Sequence, residues 1–112
     1  MFCRLKSKTS IKKIIDNGSF LKGSVLSVKY IKEGSDVRGI AIVVPKKSMP
    51  LAVNRNLIRR RIKHFLYQDS SLIKKKIPLG LYLLVYSSSN VLPYLEIKKA
   101  LVTIFSKISL NT

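Results

Sequence analysis

Hydrophobic residues recur near the end of the chain with the period of an α-helix. Pro93 stands where the first turn would begin, a position that favours proline. Apolar residues follow it at intervals of three and four, which predicts a helix with one buried side. Its buried residues would be Ile97, Leu101, Ile104 and Ile108.

Two earlier segments also have helical patterns. The longer one runs from about Leu51 to Gln68, and its apolar stripe would pack on a sheet. The shorter one runs from Ile11 to Asp16, with Ser10 as N-cap and Asn17-Gly18 ending it through a left-handed C-cap. The apolar residues are Ile58, Ile62, Phe65 and Leu66 in the longer helix, and Ile11, Ile14 and Ile15 in the shorter one.

Three further segments have the patterns of β-strands. Apolar and polar residues alternate imperfectly in Ser24 to Lys32. After the turn cluster Glu33 to Asp36, Val37 to Val44 follows as a second strand, with Ile40, Ile42 and Val44 on one face. These two segments are therefore predicted to pair as an antiparallel hairpin. Leu81 to Tyr86 is almost continuously apolar, which is typical of a strand in the interior of a sheet. In the first strand, one face would carry Leu26, Val28 and Tyr30, and the wetter face Ser27 and Lys29.

Length and composition predict one folded domain. The chain has 112 residues, 46% of them hydrophobic, so we expect residues 1–112 to form a single domain with one core. Cys3 is the only cysteine, so no internal disulfide can form and a reducing compartment fits. No apolar run has the length of a signal-peptide core or a membrane span. We therefore expect a cytoplasmic location.

The charge of the chain predicts a polyanionic partner. It has 22 Lys and Arg residues against 5 Asp and Glu residues, a net charge of +17. Such a charge repels itself and attracts nucleic acid first and anionic membranes second. Seven of the cations lie between Lys46 and Lys63 without any acid, so they lack the partners that stabilise a solvated charged helix. On the longer helix, one side would carry Asn56, Arg59, Arg60 and Lys63, with Arg55 at its border with the apolar stripe.

The acidic residues do not form a recognisable catalytic site. No two have a paired spacing, as metal-dependent nucleases require, and all are scattered among turns and helix ends. His64 lies away from the apolar stripe with no adjacent acid, so we interpret it as a solvent-facing residue rather than a general base. If the chain takes part in catalysis, another component supplies the reactive groups. The five acids are Asp16, Glu33, Asp36, Asp69 and Glu96.

One pattern in the basic segment is more specific than its charge. Lys46-Lys47, a spacer, and then Ala52, Arg55-Asn56 and Arg59-Arg60 resemble the signature of the bacterial ribonuclease P protein subunit. The resemblance implies an α+β fold, a small single-domain α-β-β-β-α-β-α sandwich with a central sheet, like domain 2 of ribosomal protein S5. It also implies a left-handed β-α-β crossover, although most such crossovers are right-handed.

The resemblance further implies a function. Members of that family are protein cofactors of a catalytic RNA that removes the 5′ leader from precursor tRNA. The RNA subunit, with the Mg²⁺ that it mainly binds, performs the hydrolysis. The chain would then be one subunit of a ribonucleoprotein endonuclease, with the catalytic RNA and precursor tRNA as partners and with neither a membrane nor a small-molecule substrate.

Motif positions in the resemblance assign candidate residues. The family's third signature residue is usually arginine and is Leu57 here, so Arg61 is added as a partial replacement. A cleft between the basic helix and the sheet would hold the leader, lined by Ile11, Ile15 and Tyr30, with Lys29 as the alternative to Tyr30. The candidate RNA-binding residues are Lys46, Lys47, Arg55, Asn56, Arg59, Arg60, Arg61 and Lys63, together with Arg4 and Lys6 near the N-terminus.

Two other functions remain open at this point. A ribosomal or general RNA-packaging protein would have the same charge but no effect on tRNA processing. A basic amphipathic membrane binder would need a free apolar stripe, whereas the predicted strands need that stripe for their core. Lys74 to Lys76 are interpreted as a solvated basic segment.

Overall fold

The fold, described by a computed structural model for residues 2–4, 8–31, 38–69 and 80–110, is a mixed five-stranded sheet packed with helices. The turn cluster predicted at residues 33–36, Lys6 and Lys74 to Lys76 lie outside the described residues. A π-helical turn, Phe65–Asp69, continues the second helix. The elements are β1 (Phe2–Arg4), α1 (Lys8–Asn17), β2 (Ser19–Lys22), β3 (Leu26–Ile31), β4 (Arg38–Val43), α2 (Ala52–His64), β5 (Gly80–Tyr86) and α3 (Tyr94–Leu110).

The strand order of the sheet is β1-β4-β5-β3-β2. Strand β5 lies in the middle, parallel to β4 and antiparallel to β3, and β1 is parallel to β4. The predicted hairpin of β3 with β4 is therefore wrong, because β5 lies between them. The parallel strands β4 and β5 are connected through α2, which is the arrangement of the predicted β-α-β crossover. The left hand of that crossover stays a prediction.

The main core lies between one face of the sheet and the helices α2 and α3. The predicted apolar stripes of both helices are buried there, which confirms their assignment. Tyr82 on β5 lies at the centre, with its ring 6.0 Å from that of Tyr30 and 6.4 Å from that of Phe105, measured between centroids. Sheet residues in this core include Leu26, Val28, Tyr30, Ile40, Tyr82, Leu84 and Tyr86.

Helix α1 packs on the opposite face of the sheet. Alternate residues of a strand point to opposite sides, so Lys29 and its β5 partner Leu83 face away from the main core. The Lys29 side-chain amine donates a hydrogen bond to the carbonyl of Ile15 on α1, at 3.3 Å. Ile14 is fully buried. Because α1 has only ten residues, part of this face of the sheet is not covered by any element in the described ranges.

The boundaries of α1 differ from the prediction. The helix begins at Lys8, so Ser10 lies inside it and is not its N-cap. Gly18 follows its last residue and donates its N–H to the Ile14 carbonyl at 2.7 Å, but without a left-handed φ. The glycine is required instead by a close approach, because a Cβ at this position would lie 2.4 Å from the Ile14 oxygen.

Two strands were not predicted from the pattern of residues. Strand β1 is three residues long and β2 four, and each is too short to show an alternation that stands out from its surroundings. Strand β2 pairs with β3 and places Phe20 opposite Lys29.

None of the helices in the described part of the chain has the length and apolar content that crossing a bilayer requires.

Replacement of Gly18 by alanine should destabilise the fold. The added methyl would overlap the Ile14 carbonyl oxygen, so the turn from α1 into β2 must shift, at a cost of roughly 1–3 kcal/mol. Denaturant unfolding followed by circular dichroism measures this loss. Asn17→Ala, at the exposed end of the same helix, is the matched control and should change stability by less than about 0.5 kcal/mol. Equal stability of the two variants would contradict the assigned close approach.

Candidate nucleic-acid interface

Helix α2 presents a basic side to solvent. Asn56 and Arg60 are exposed, and Arg59 and Lys63 are partly exposed. The Asn56 side-chain oxygen accepts a hydrogen bond from the Arg59 guanidinium at 3.3 Å. Within the described part of the chain, no acidic side chain pairs with Arg59, Arg60 or Lys63. These four residues, which we call the basic side of α2, are therefore available to phosphate oxygens.

Arg55 connects the start of α2 to the preceding loop. One nitrogen of its guanidinium donates to the carbonyl of Met49 at 3.0 Å and to that of Pro50 at 2.7 Å. Met49 is buried, so the end of the loop is fixed against both the core and the helix. Lys46 and Lys47 are exposed on the turn of this loop. Arg55 thus positions the lysine-bearing loop, and its remaining guanidinium nitrogens can still contact RNA.

Arg61 points to another part of the molecule. Its guanidinium donates a short hydrogen bond to the carbonyl of Leu92, in the segment before α3. The hydroxyl of Tyr86 donates to the carbonyl of Asn90 in the same segment, at 2.6 Å. Burial raises the pKa of Tyr86, so this hydroxyl keeps its proton at neutral pH. Arg61 therefore supports this junction, and its role in RNA binding stays a prediction.

A small cleft lies where α1, α2 and the edge of the sheet meet. It has a volume of about 210 Å³. We call it the edge cleft. Arg59 and Lys63 form its basic wall, so cations of α2 border an apolar space formed by the other elements. The remaining lining comes from Ile11 on α1, residues 40–43 on β4 and Tyr67 in the π-helical turn.

A larger cleft lies on the uncovered face of the sheet beside α1. It has a volume of about 390 Å³, and its lining is mostly apolar. We call it the face cleft. Phe20 and Ile15 form its rim, with 56% and 50% of their surfaces exposed. Its lining residues are Ile15, Phe20, Ser27, Val28, Lys29, Leu83 and Val85.

The family model described as Ribonuclease P matches residues 2–109 of the sequence. The chain belongs to the ribonuclease P protein family. This confirms the resemblance that was inferred from the signature in α2.

Solved ribonuclease P proteins from two organisms have the same fold. The chain is 22% identical to the protein of Staphylococcus aureus, with a TM-score of 0.75 over 93% of each chain. It is 21% identical to the protein of Thermotoga maritima, with a TM-score of 0.75 over 94% of this chain and 96% of that one. At this level of identity the likeness shows the fold alone. A sequence search of curated proteins found no match.

The expected ribonuclease P leader cleft differs from the structure in two respects. It was predicted between the basic helix and the sheet, where the edge cleft lies, whereas the face cleft lies beside α1 and has no lining residue from α2. Tyr30 is 6% exposed and lies in the main core, so its prediction as a lining residue is wrong. The alternative, Lys29, lines the face cleft. Ile11 and Ile15 are one helical turn apart on α1 and line different clefts, the edge cleft and the face cleft respectively.

Phe20 is the aromatic residue that the sequence did not reveal. Phe20 lies two residues after Gly18, in a segment whose sequence is typical of a turn. The pairing of β2 with β3 places it beside Lys29. Residues 19–22 are polar, apolar, apolar and polar in order, so they show no alternation that would have predicted a strand.

Other predicted residues lie outside the two clefts. The backbone of Arg4 is in β1, at the opposite edge of the sheet from β2. His64 is exposed and contacts the ring of Tyr94 edge-on, with 5.1 Å between centroids, which fits a surface residue rather than a base. Leu57, at the family's arginine position, is partly buried.

The side chains of the described residues do not fit a Mg²⁺ site. No group of three His, Cys, Asp or Glu residues lies together in this part of the chain. Mg²⁺ prefers oxygen ligands, above all carboxylates and phosphates. The chemistry present at the interface is instead cationic, which suits phosphate rather than metal.

Loss of one cation from the basic side of α2 should weaken the salt dependence of RNA binding. We expect Arg59→Ala and Lys63→Ala each to reduce the magnitude of the slope of log affinity against log salt by about one unit, because each would remove one expected phosphate contact. Filter binding of the catalytic RNA from 50 to 400 mM salt measures the slope. Lys99→Ala, an exposed lysine of α3 outside both clefts, is the control and should leave it unchanged. A slope for the α2 variants equal to that of the unmodified protein would argue against direct contact.

Proposed function

We propose that this chain is the protein cofactor of ribonuclease P, which binds the catalytic RNA and the 5′ leader of precursor tRNA. In this proposal the basic side of α2 contacts the phosphates of the catalytic RNA. The face cleft holds the single-stranded leader. The holoenzyme is an endoribonuclease that makes the mature 5′ end of tRNA, in the cytoplasm.

The observation that carries the proposal is the shared lining of the two clefts by α1. Ile11 and Ile15 are four residues apart and therefore lie on the same side of the helix. Ile11 borders Arg59 and Lys63 in the edge cleft, and Ile15 borders Phe20 and Lys29 in the face cleft. A single-stranded leader bound in the face cleft would thus emerge close to the cations of α2. The catalytic RNA can bind at those cations.

The chemistry of the face cleft suits single-stranded RNA. Phe20 offers an exposed ring on which a base can stack, a contact worth about 1–3 kcal/mol and insensitive to base identity. Ile15, Leu83 and Val85 provide apolar contacts for bases and riboses, while the Lys29 amine lies at the same cleft and can contact phosphate. Such a site accepts leaders of differing sequence, as a processor of many tRNAs requires.

Catalysis in this proposal belongs to the RNA subunit and the Mg²⁺ that it binds. The described side chains hold no carboxylate cluster, so we assign them no step of hydrolysis. Their contribution is electrostatic: the unpaired cations of α2 reduce the repulsion between the phosphates of two RNA molecules that must approach each other. The holoenzyme should therefore need less Mg²⁺ than the RNA alone.

Reconstitution with the cognate catalytic RNA tests the proposal. The protein alone should not cleave precursor tRNA, and its addition to the RNA should accelerate leader removal at low Mg²⁺. The double variant Arg59→Ala/Lys63→Ala should stimulate the reaction less than Lys99→Ala does, because only the former loses phosphate contacts. RNA binding without any acceleration would contradict the proposal and agree with an RNA-packaging protein.

A further inference from the structure

We propose that the start of α2 carries a second base-binding surface, formed by Val53 and Leu57, which receives an unpaired nucleotide of single-stranded RNA. We call this pair the apolar platform. The inference rests on the proposed function, because Asn56 and Arg60, which border the platform, belong to the basic side of α2 that would contact the catalytic RNA. It concerns a side of α2 that faces neither of the two clefts.

The platform is exposed although its residues are apolar. Val53 is the second residue of α2 and has 75% of its surface exposed. Leu57 lies four residues later and is partly exposed, so the two side chains are neighbours on the helix surface. Both line one shallow depression together with Asn56 and Arg60.

The platform is directed away from the core. The buried residues of α2 are Ile58 and Ile62, which lie roughly 140–180° around the helix axis from Val53 and roughly 100–140° from the partly buried Leu57. No further element is therefore needed over Val53 to complete the fold. The exposed apolar surface of Val53, bordered by Asn56 and Arg60, is open to a partner.

The border of the platform selects RNA as that partner. The exposed guanidinium of Arg60 can bind a phosphate, and the described residues provide no acidic partner for it. The Asn56 oxygen already accepts from Arg59, which leaves its amide N–H groups to donate to an acceptor on a base edge. An unstacked nucleotide combines a flat apolar face, edge acceptors and a phosphate within one residue, and it matches all three features.

A second copy of this chain fits the platform less well. With a net charge of +17, two copies that bring their α2 helices together would place cations against cations. The same charge attracts RNA.

The test compares RNA strands with and without bases. The probes are an oligoadenylate of about ten nucleotides and an abasic strand with the same number of phosphates. All variants carry Phe20→Ala, so that stacking in the face cleft does not contribute. Val53→Ala should weaken binding of oligoadenylate by about threefold, through lost apolar contact, and Val53→Tyr should strengthen it by a similar factor. Neither change should alter binding of the abasic strand.

The control is Leu95→Ala. Leu95 is the second residue of α3, as Val53 is of α2, and its exposure of 67% is similar. It should change neither affinity, and thermal unfolding should show all variants folded. Equal effects of the Val53 changes on both probes, no effect on either, or a Val53-dependent sedimentation of dimers would each overturn the inference. Reconstituted leader removal, measured with the unmodified protein and the Val53 variants, separates failure of this inference from failure of the proposed function. If only the inference fails, the unmodified protein still accelerates leader removal. If the proposed function fails, the unmodified protein does not accelerate it.

Discussion

The position of β5 between β4 and β3 is the constraint on which the remaining structure depends. Its alternate residues serve two different layers: Tyr82 and Leu84 enter the main core, while Leu83 and Val85 line the face cleft. A shift of one residue in its register would place the tyrosines in the cleft and the aliphatic residues in the core. Core packing and the shape of the cleft are therefore determined by the same backbone hydrogen bonds.

The distribution of charge is the second constraint. The buried Ile58 and Ile62 fix the position of α2 and therefore of its cations. No acidic residue lies on α2, so these cations have no opposite charge on their own helix. The folded protein consequently repels itself, and any polyanion that binds the folded state stabilises it.

The sequence predicted elements better than their arrangement. The period of apolar residues is a local property, so it located α2, α3 and the interior strand β5. Strand pairing is not local, and β5 enters between β3 and β4, which excludes the hairpin that their adjacency favoured. Both faces of β3 contact apolar groups, so alternation could not show whether Tyr30 or Lys29 faced the cleft. Phe20 was missed because its strand is four residues long and follows a helix-ending glycine.

The central claim is that the face cleft holds the leader, and the dependence of affinity on leader length tests it most directly. Holoenzyme assembled with the unmodified protein should bind precursor tRNA more tightly as the leader is lengthened, until the cleft is filled. With Phe20→Ala this gain should shrink, since one base loses its stacking partner, whereas affinity for mature tRNA should be unchanged. A gain of the same size for both proteins would contradict the account.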